Sequence, residues 1–463
     1  MYPTTGVFMM NSTIAAISTA QGLGGIGVIR ISGDDALKIA DKVFVSLNEK
    51  KLCDQKGYTA HFGAVFFEGE KVDQCVATVF KAPLSYTGEN VVELSCHGGT
   101  YVTKTVLRAV LDSGATPASA GEFTKRAFLN GKLDLTEAEA VMDIIGAKSN
   151  AAMRSALSVH EGALSKAIND VKEDLVMRAA HLCAWADYPE EDIPEIEFSS
   201  LKNALQLSKE KLNNLLLNYD KGKAIREGID TVIVGRPNVG KSTLMNLITG
   251  YDKSIVTDIA GTTRDIVEET AVVKDITLHL SDTAGIRDAD NMIEKIGVDK
   301  AKQRLSTAEL IIAVFDMSSP LSEDDISILN DIKGSTCIAV INKEDLEPKL
   351  DIDKVKEVTE NIVFMSAKAK TGVKEFEDIL EKVAGTADFD SSSAVLSNER
   401  QRSLAKSAFN ALDDAIVALD MGLTYDAVTV SLEDAISYLC ELTGERVTET
   451  VVDNVFHQFC VGK

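Results

Sequence analysis

The sequence predicts a multidomain protein: an α+β domain at the N-terminus, an all-α helical domain, and an α/β phosphate-loop domain inserted within the helical one. Three observations carry that expectation. Short β-branched runs alternate with two helical stretches up to about residue 130, and a proline-poor, helix-periodic region follows. From residue 228 strands and helices then alternate, until helical periodicity returns after residue 385. At about 150 residues per domain, 463 residues allow about three domains. We set the bounds at 11–130 for the α+β domain, 131–226 for the first helical part, 227–385 for the inserted domain and 386–463 for the second helical part.

Each element has a local reason. The strand-like runs of the first region are residues 13–17, 27–31, 64–67, 75–80 and 91–94. One helix is expected after Ser32-Gly33-Asp34-Asp35 and another over 101–111, while Phe67-Glu68-Gly69-Glu70-Lys71 reads as a hairpin turn. Between Ala118 and Pro237 the only prolines are Pro189 and Pro194. Leu157, Leu164, Ile168, Val171 and Leu175 recur at steps of three, four and seven, which puts them on one face of a helix and in a bundle core. Pro189 and Pro194, among Glu190, Glu191, Asp192 and Glu195, interrupt the run before a helix over 201–217. In the inserted region, strands are expected over 231–234, 276–280, 309–315, 336–341 and 361–365; such near-continuous β-branched runs between helices indicate a parallel sheet covered on both faces. Leu404, Ala408, Leu412, Ile416 and Leu419 form a second helical stripe. One helical domain split by an insertion is the simplest arrangement.

Composition narrows the function. With 45% hydrophobic and 26% charged residues and only 8 prolines, the chain is neither disordered nor collagen-like. Its 48 Lys and Arg against 71 Asp and Glu give a net charge of −23, which repels polyanions at long range and excludes a protein that coats nucleic acid unaided. Cys53, Cys75, Cys96, Cys183, Cys337, Cys440 and Cys460 form no CxxC pair, so they are expected to be reduced thiols rather than a disulfide or zinc framework. The strongly apolar run 310–315 falls far short of the ~20 residues that cross a bilayer. No Lys or Arg precedes Arg30, so a signal peptide would lack its basic segment, and a cytoplasmic location without membrane attachment is expected.

The inserted region carries the chemistry. Gly235-Arg236-Pro237-Asn238-Val239-Gly240-Lys241-Ser242 follows a strand and, from Thr243, leads into a helix, the context a GxxxxGK[ST] phosphate loop requires. Its glycines let backbone N–H groups curl around phosphates, Lys241 reaches the β and γ phosphates, and the Ser242 hydroxyl suits Mg²⁺. Asp282-Thr283-Ala284-Gly285 ends a second strand, placing a carboxylate near the metal and a glycine N–H near the γ-phosphate. Asn342-Lys343-Glu344-Asp345 ends another; Asp345 can accept both hydrogens of guanine N1 and N2, a pairing adenine cannot offer. Ser366-Ala367-Lys368 lies where a loop closes over the base. Together they predict GTP rather than ATP hydrolysis. Ile286 stands where Ras-like proteins carry a water-orienting glutamine, so assistance must come from elsewhere. Asn238 and the segment Thr257-Asp258-Ile259-Ala260-Gly261-Thr262-Thr263-Arg264-Asp265 offer oxygens beside the phosphates, and Thr263 is the natural switch threonine for Mg²⁺.

Asn238 with that switch segment, Ile286, and the terminal Cys460-Val461-Gly462-Lys463 resemble the MnmE (TrmE) family of tRNA-modification GTPases, over essentially the whole chain. The stretch from Gly24 through Arg30 to Gly33 and the one from Gly121 through Lys132 to Asp134 resemble it too, whereas residues 1–10 have no counterpart. The resemblance implies an N-terminal domain that binds folate (5-formyl-tetrahydrofolate or a relative) and dimerises, with the GTPase set inside a helical domain. It implies a K⁺-dependent, dimerisation-activated hydrolase that works with the FAD-containing MnmG (GidA) subunit to install an aminomethyl-type (carboxymethylaminomethyl) group on carbon 5 of the wobble uridine of certain tRNAs. By position, Asn238, Thr257, the Ile259 carbonyl and Thr262 would hold K⁺, Ser242 and Thr263 would hold Mg²⁺, and Glu294 would orient water indirectly. Arg30, Glu93, Lys132 and Lys463 match formyl-tetrahydrofolate contacts, and Cys460 matches a cysteine of the modification chemistry. Phe456 and Phe459 beside Cys460 indicate a docked tail.

An RNA-binding ribosome-assembly GTPase is the competing expectation. Residues 386–463 hold 13 acidic and 5 basic residues, which disfavours it and implies that tRNA is held mainly by a basic partner.

Overall fold

Along the N-terminal strands alternate residues are apolar, and in the computed structural model, which describes residues 12–187, 197–250, 269–282, 305 and 307–463, they become one face of a seven-stranded sheet. The elements are β1 (Ile14–Ile17), β2 (Ile26–Ser32), α1 (Ala36–Val43), β3 (Phe44–Ser46), β4 (Thr59–Phe67), β5 (Glu70–Phe80), β6 (Val91–His97), α2 (Thr100–Asp112), β7 (Thr116–Pro117), α3 (Glu122–Leu129) and α4 (Leu135–Gly146). Strand order is β3-β4-β5-β6-β2-β1-β7, antiparallel except for the parallel β1–β7 pair. Ile29 and Ile31 of β2 and Val92 and Leu94 of β6 bury against Ile39 and Ala40 of α1 and Val106 and Val110 of α2. The residues between them face the other way, so Arg30 and Glu93, directly paired across β2 and β6, lie on the opposite face. The β4–β5 turn has positive φ at Glu68 (51°) and Gly69 (84°), as the two-residue turn that matches strand twist requires.

These strands and helices form one compact unit, Met1–Met142, together with Cys440–Lys463. In it Val452 and Phe456 of the last helix (Glu449–His457) and Phe459 pack on Leu135, Ala138 and Val141 of α4. Helix α3 was not expected: its two turns bury only Phe123, Thr124, Arg126 and Ala127, too short a pattern to register as periodic.

The second unit, Asp143–Leu439, begins with helices. They are α5 (Asn150–His160), α6 (Ala163–Asp187) and α7 (Phe198–Arg226). Leu164, Ile168, Val171 and Leu175 are buried as a stripe on α6, but Leu157 is 43% exposed. The reason is a break: α5 stops at His160, and Gly162, at φ 91°, turns the chain into a new helix with a different phase.

Next come β8 (Ile229–Val234), α8 (Lys241–Thr249), β9 (Glu269–Val273), β10 (Ile276–Asp282), β11 (Leu310–Asp316), α9 (Glu323–Asp331), β12 (Cys337–Asn342), α10 (Ile352–Lys356), β13 (Ile362–Phe364) and α11 (Val373–Ala384). The sheet runs β13-β12-β11-β8-β10-β9, parallel except for β9, an unexpected edge strand antiparallel to β10. Every residue of β11 is buried: Leu310, Ile312 and Val314 face α8 and α11, while Ile311, Ala313 and Phe315 face α9 and α10. That is why its sequence reads as an unbroken apolar run.

The helices α12 (Glu399–Asp420) and α13 (Tyr425–Thr443) follow, ahead of the last helix. Helix α12 packs antiparallel along α7: Lys202 pairs with Asp420, Lys209 with Asp413, and the Tyr219 hydroxyl donates to Glu399 at 3.2 Å. Buried Leu201, Leu205 and Leu212 on α7 contribute about 2 kcal/mol each by leaving water. The two helical parts of the sequence thus pack together around the insertion.

Candidate functional site

The parallel strands β8, β10, β11 and β12 end on one edge of the sheet, and the phosphate loop and base loop both rise from it. Between β8 and α8, Gly235 has φ 155° and Gly240 φ 101°. A Cβ at Gly235 would meet the Val314 carbonyl at 2.5 Å, and one at Gly240 would collide with the Asn342 amide, so glycine is required at both for steric as well as torsional reasons. Val239 between them is buried, which anchors the loop. The Lys241 ammonium donates to the carbonyls of Gly235 (2.8 Å) and Arg236 (2.9 Å), capping the loop's own backbone. Ser242 and Thr243 are exposed on the first turn of α8, where a hydroxyl is open to a hard cation. Asn238, also exposed, holds φ 64°.

Asn342 joins the loops. Its buried amide donates to the Val239 carbonyl at 2.8 Å and accepts from the Ala367 N–H at 3.0 Å, so one side chain fixes phosphate loop and Ser366-Ala367-Lys368 together. Lys343 donates to the Asn238 carbonyl at 3.0 Å. Asp345 is exposed; a hydrogen bond from Ser366, with Lys368 and Lys343 nearby, holds its carboxyl below the ordinary 3.8, so it is an ionised acceptor at neutral pH. The structure therefore brings together Asn238, Val239, Gly240, Lys241, Asn342, Lys343 and Ala367 through direct hydrogen bonds or close approach.

Asp282 ends β10, but its side chain lies outside the described residues. So do Thr257, Asp258, Ile259, Ala260, Gly261, Thr262, Thr263, Thr283, Ala284, Gly285, Ile286 and Glu294, and with them all of the expected switch residues and most of the K⁺ set.

A second cluster lies on the face of the N-terminal sheet away from α1 and α2, where Phe123 of α3 packs on Ile14 and Ala16 of β1. Arg30 Nε donates to Glu93 Oε1 at 2.9 Å, and its guanidinium stacks over Tyr86 (5.3 Å) and Phe123 (5.6 Å). The chain terminus joins it: the Phe123 N–H donates to the Lys463 carbonyl at 3.2 Å, the Gly121 N–H to that of Cys460 at 3.3 Å, and the Ser18 hydroxyl to that of Gly462 at 2.9 Å. Burial, then the positive charge of Arg30, pulls the Lys463 ammonium below its ordinary 10.5 despite Glu93 and Cys460. Cys460 is exposed, whereas burial pushes the Cys75 and Cys96 thiols up to about 12 and about 11 and leaves them inert. Lys132 instead reaches the Pro83 carbonyl (3.4 Å), on the loop that carries Tyr86.

Three polar residues beside these sites went unnoticed in the sequence. Arg236, within the phosphate loop, faces Asp316 at the end of β11, and Arg126 of α3 is 1% exposed. Arg236 and Asp316 are defined by partners distant in sequence, and Arg126, one helical turn from Glu122, has its second carboxylate, Glu89, 37 positions away.

Comparison with known proteins adds the following. The family model described as MnmE helical domain matches residues 135–460, and the one described as GTP-binding protein TrmE N-terminus matches residues 13–132. The chain is 42% identical over 457 residues to the tRNA modification GTPase MnmE of Clostridioides difficile (strain 630), covering 98% of this chain and 100% of that one. It is 40% identical over 457 residues to that of Bacillus pumilus (strain SAFR-032), covering 97% and 100%. Among solved structures, the FeoB G-domain of Methanococcus jannaschii aligns with 34% of this chain and 98% of its own, at 21% identity and a TM-score of 0.26, too slight a likeness to weigh.

Proposed function

The chain belongs to the MnmE family of tRNA-modification GTPases, and on that premise we propose how its residues divide the work. GTP binds in the inserted domain. Gly240, Lys241 and Thr243 hold phosphates and Asp345 selects guanine; Asn342 supports both by tying the loops together, and this bridge carries the reading. Ser242 with Thr263 and Asp282 would hold Mg²⁺; Asn238, Thr257, the Ile259 carbonyl and Thr262 would hold K⁺. When bound, the two ions offset negative charge on the β and γ phosphates. Hydroxyl, amide and carbonyl oxygens are the donors such hard cations take. Glu294 orients water indirectly, in place of the glutamine that Ile286 displaces. Because losing one transition-state contact costs ~3 kcal/mol, turnover in K⁺ buffer is expected to exceed that in Na⁺ about a hundredfold. Equal rates would remove the K⁺ assignment.

The second site is the modification centre. Arg30, Glu93, Lys132 and Lys463 would hold 5-formyl-tetrahydrofolate; a carboxylate flanked by cations and the Tyr86 and Phe123 rings suits a flat, polar heterocycle with an acidic tail. That cofactor supplies a one-carbon unit. Cys460 serves as nucleophile or thiol acid, with Lys463 as its neighbouring charge. We assign the protein to the cytoplasm, as a homodimer whose dimerisation activates hydrolysis, acting with an MnmG (GidA)-type FAD subunit to place carboxymethylaminomethyl on carbon 5 of the wobble uridine. Among the described residues no helix is long and apolar enough to cross a membrane. The domain bounds 11–130, 131–226, 227–385 and 386–463 belong to the same reading. Cys460→Ser should leave GTP turnover within about twofold, since the hydrolytic residues all lie within 227–385, and should abolish modified wobble uridine measured by mass spectrometry. Normal modification would reduce Cys460 to a packing residue; a parallel loss of GTP turnover would make the tail structural.

A further inference from the structure

We propose that Asp316 is a positioning residue for guanine-nucleotide binding, acting through Lys343 to couple the base loop to the phosphate loop; this rests on the reading of Asn342 to Asp345 as the guanine site. Asp316 ends β11 in register with Asn342 at the end of β12, so its side chain emerges beside the base loop. That side chain is only 10% exposed, and a carboxylate so placed must be compensated. Oδ1 accepts from the Ser318 N–H (2.9 Å) and hydroxyl (2.7 Å). Oδ2 accepts from Lys343 Nζ at 2.6 Å, with Arg236 Nη2 at 3.9 Å.

Lys343 spends a second donor on the Asn238 carbonyl at 3.0 Å. The result is a continuous path: carboxylate of Asp316, ammonium of Lys343, backbone of the phosphate loop. Both ends of the lysine's bridge are in an unfavourable conformation, Lys343 and Asn238 each holding φ 64° without being glycine. Such backbone persists only where surrounding contacts fix it, and Asp316 is the anchor that holds the lysine in place. Burial alone would push the Asp316 carboxyl up; the bonds from Lys343 and Ser318 outweigh it and keep the group below its ordinary 3.8, hence charged at neutral pH. Arg236 is fastened beside it, to Ser319 and to Asp325 (3.2 Å), so the phosphate loop is tied both to the β11–α9 connection and to the first turn of α9.

Replacing Asp316 by Asn preserves shape and removes the charge. The bond to Lys343 then loses its ionic assistance, and the lysine is freed into solvent rotamers. Guanine and the β-phosphate are common to GTP and GDP, so affinity for both should fall by the same factor, about tenfold, which is what loss of one charge-assisted hydrogen bond gives. The change should appear in KM and not in kcat at saturating GTP.

The test is titration of the full-length protein with fluorescent mant-GDP and mant-GTP in a double-mutant cycle. Asp316→Asn is expected to bind both about tenfold more weakly, and Asp316→Asn/Lys343→Met no more weakly than Lys343→Met alone, because the hydrogen-bonded route runs through Lys343 (2.6 Å) and the Arg236 contact is longer at 3.9 Å. Additive losses, which general structural damage would produce, overturn the proposal, as does unchanged affinity in Asp316→Asn. Asp345→Asn reports on the pocket itself by a switch from GTP to xanthosine triphosphate. That switch with a silent Asp316→Asn overturns the coupling and leaves the pocket standing, whereas GTP affinity surviving Asp345→Asn overturns both.

Discussion

A guanidinium with 1% of its surface exposed must find its counter-charges inside the protein, and Arg126 does so with two. Nη2 donates to Glu122 at 2.8 Å, and Nη1 donates to Glu89 at 3.1 Å and to the Ser12 carbonyl at 2.9 Å, while Nε is buried without a partner among the described residues. Neutralising one member of a buried ionic group strands the others, so Arg126→Met is expected to cost about 3–5 kcal/mol, read by urea unfolding. Loss under 1 kcal/mol would show the carboxylates relaxing to water. Glu122 gives the matching pH signature. Burial pushes its carboxyl up, but Arg126 and the Ser119 N–H and hydroxyl outweigh this and hold it below the ordinary 4.5. A depressed carboxyl stabilises the fold above its unfolded value and loses that contribution as pH falls through its folded value. Stability should therefore decline from about pH 4.5 downward, and Glu122→Gln should flatten that decline.

Whole elements are held by the same economy of partners. Helix α5 starts with two backbone N–H groups satisfied from outside: Ala152 donates to the Ser149 hydroxyl at 3.1 Å, and Ala151 to Asp275 of the β9–β10 turn at 3.1 Å. The last helix depends on a glycine. Gly121, at φ 66°, precedes α3, and a Cβ there would stand 2.6 Å from the Phe456 carbonyl and 2.9 Å from Phe459 Cβ. Gly121→Ala combines an unfavourable left-handed torsion with a backbone clash, so a loss of about 2 kcal/mol or more is expected. The C-terminal helix should become the first site cut in limited proteolysis. Unchanged cleavage would mean that the tail is held by its Phe456 and Phe459 packing alone.

At the scale of the molecule, charge and topology set the limits. A net charge of −23 opposes binding of a polyanion, while the family to which the chain belongs modifies tRNA. The expectation is that labelled tRNA does not co-elute with this protein at physiological salt and does so once the FAD-containing subunit proposed as its partner is added. Co-elution with the protein alone would locate the tRNA surface here. Topology adds a second constraint. Helices α7 and α12 flank the inserted domain in sequence and pack on one another in space, so the insertion leaves and re-enters one helical body.

The sequence by itself determined whatever depends on near neighbours. The run from Gly235 to Ser242, the set Asn342 to Asp345 and the hairpin at Glu68 and Gly69 were legible because torsion, donor pattern and turn chemistry are properties of adjacent residues. The stripe on α6 was legible for the same reason, and it failed at Leu157 where one glycine, Gly162, reset the helical phase. Only the tertiary structure decided what depends on distant partners. The burial of Arg126 is defined by Ser12 and Glu89, the docked tail by Gly121 and α4, and Asp316 by Lys343 twenty-seven positions on. No local pattern marks such residues, because the free energy of a buried charge is fixed by which groups the fold delivers to it.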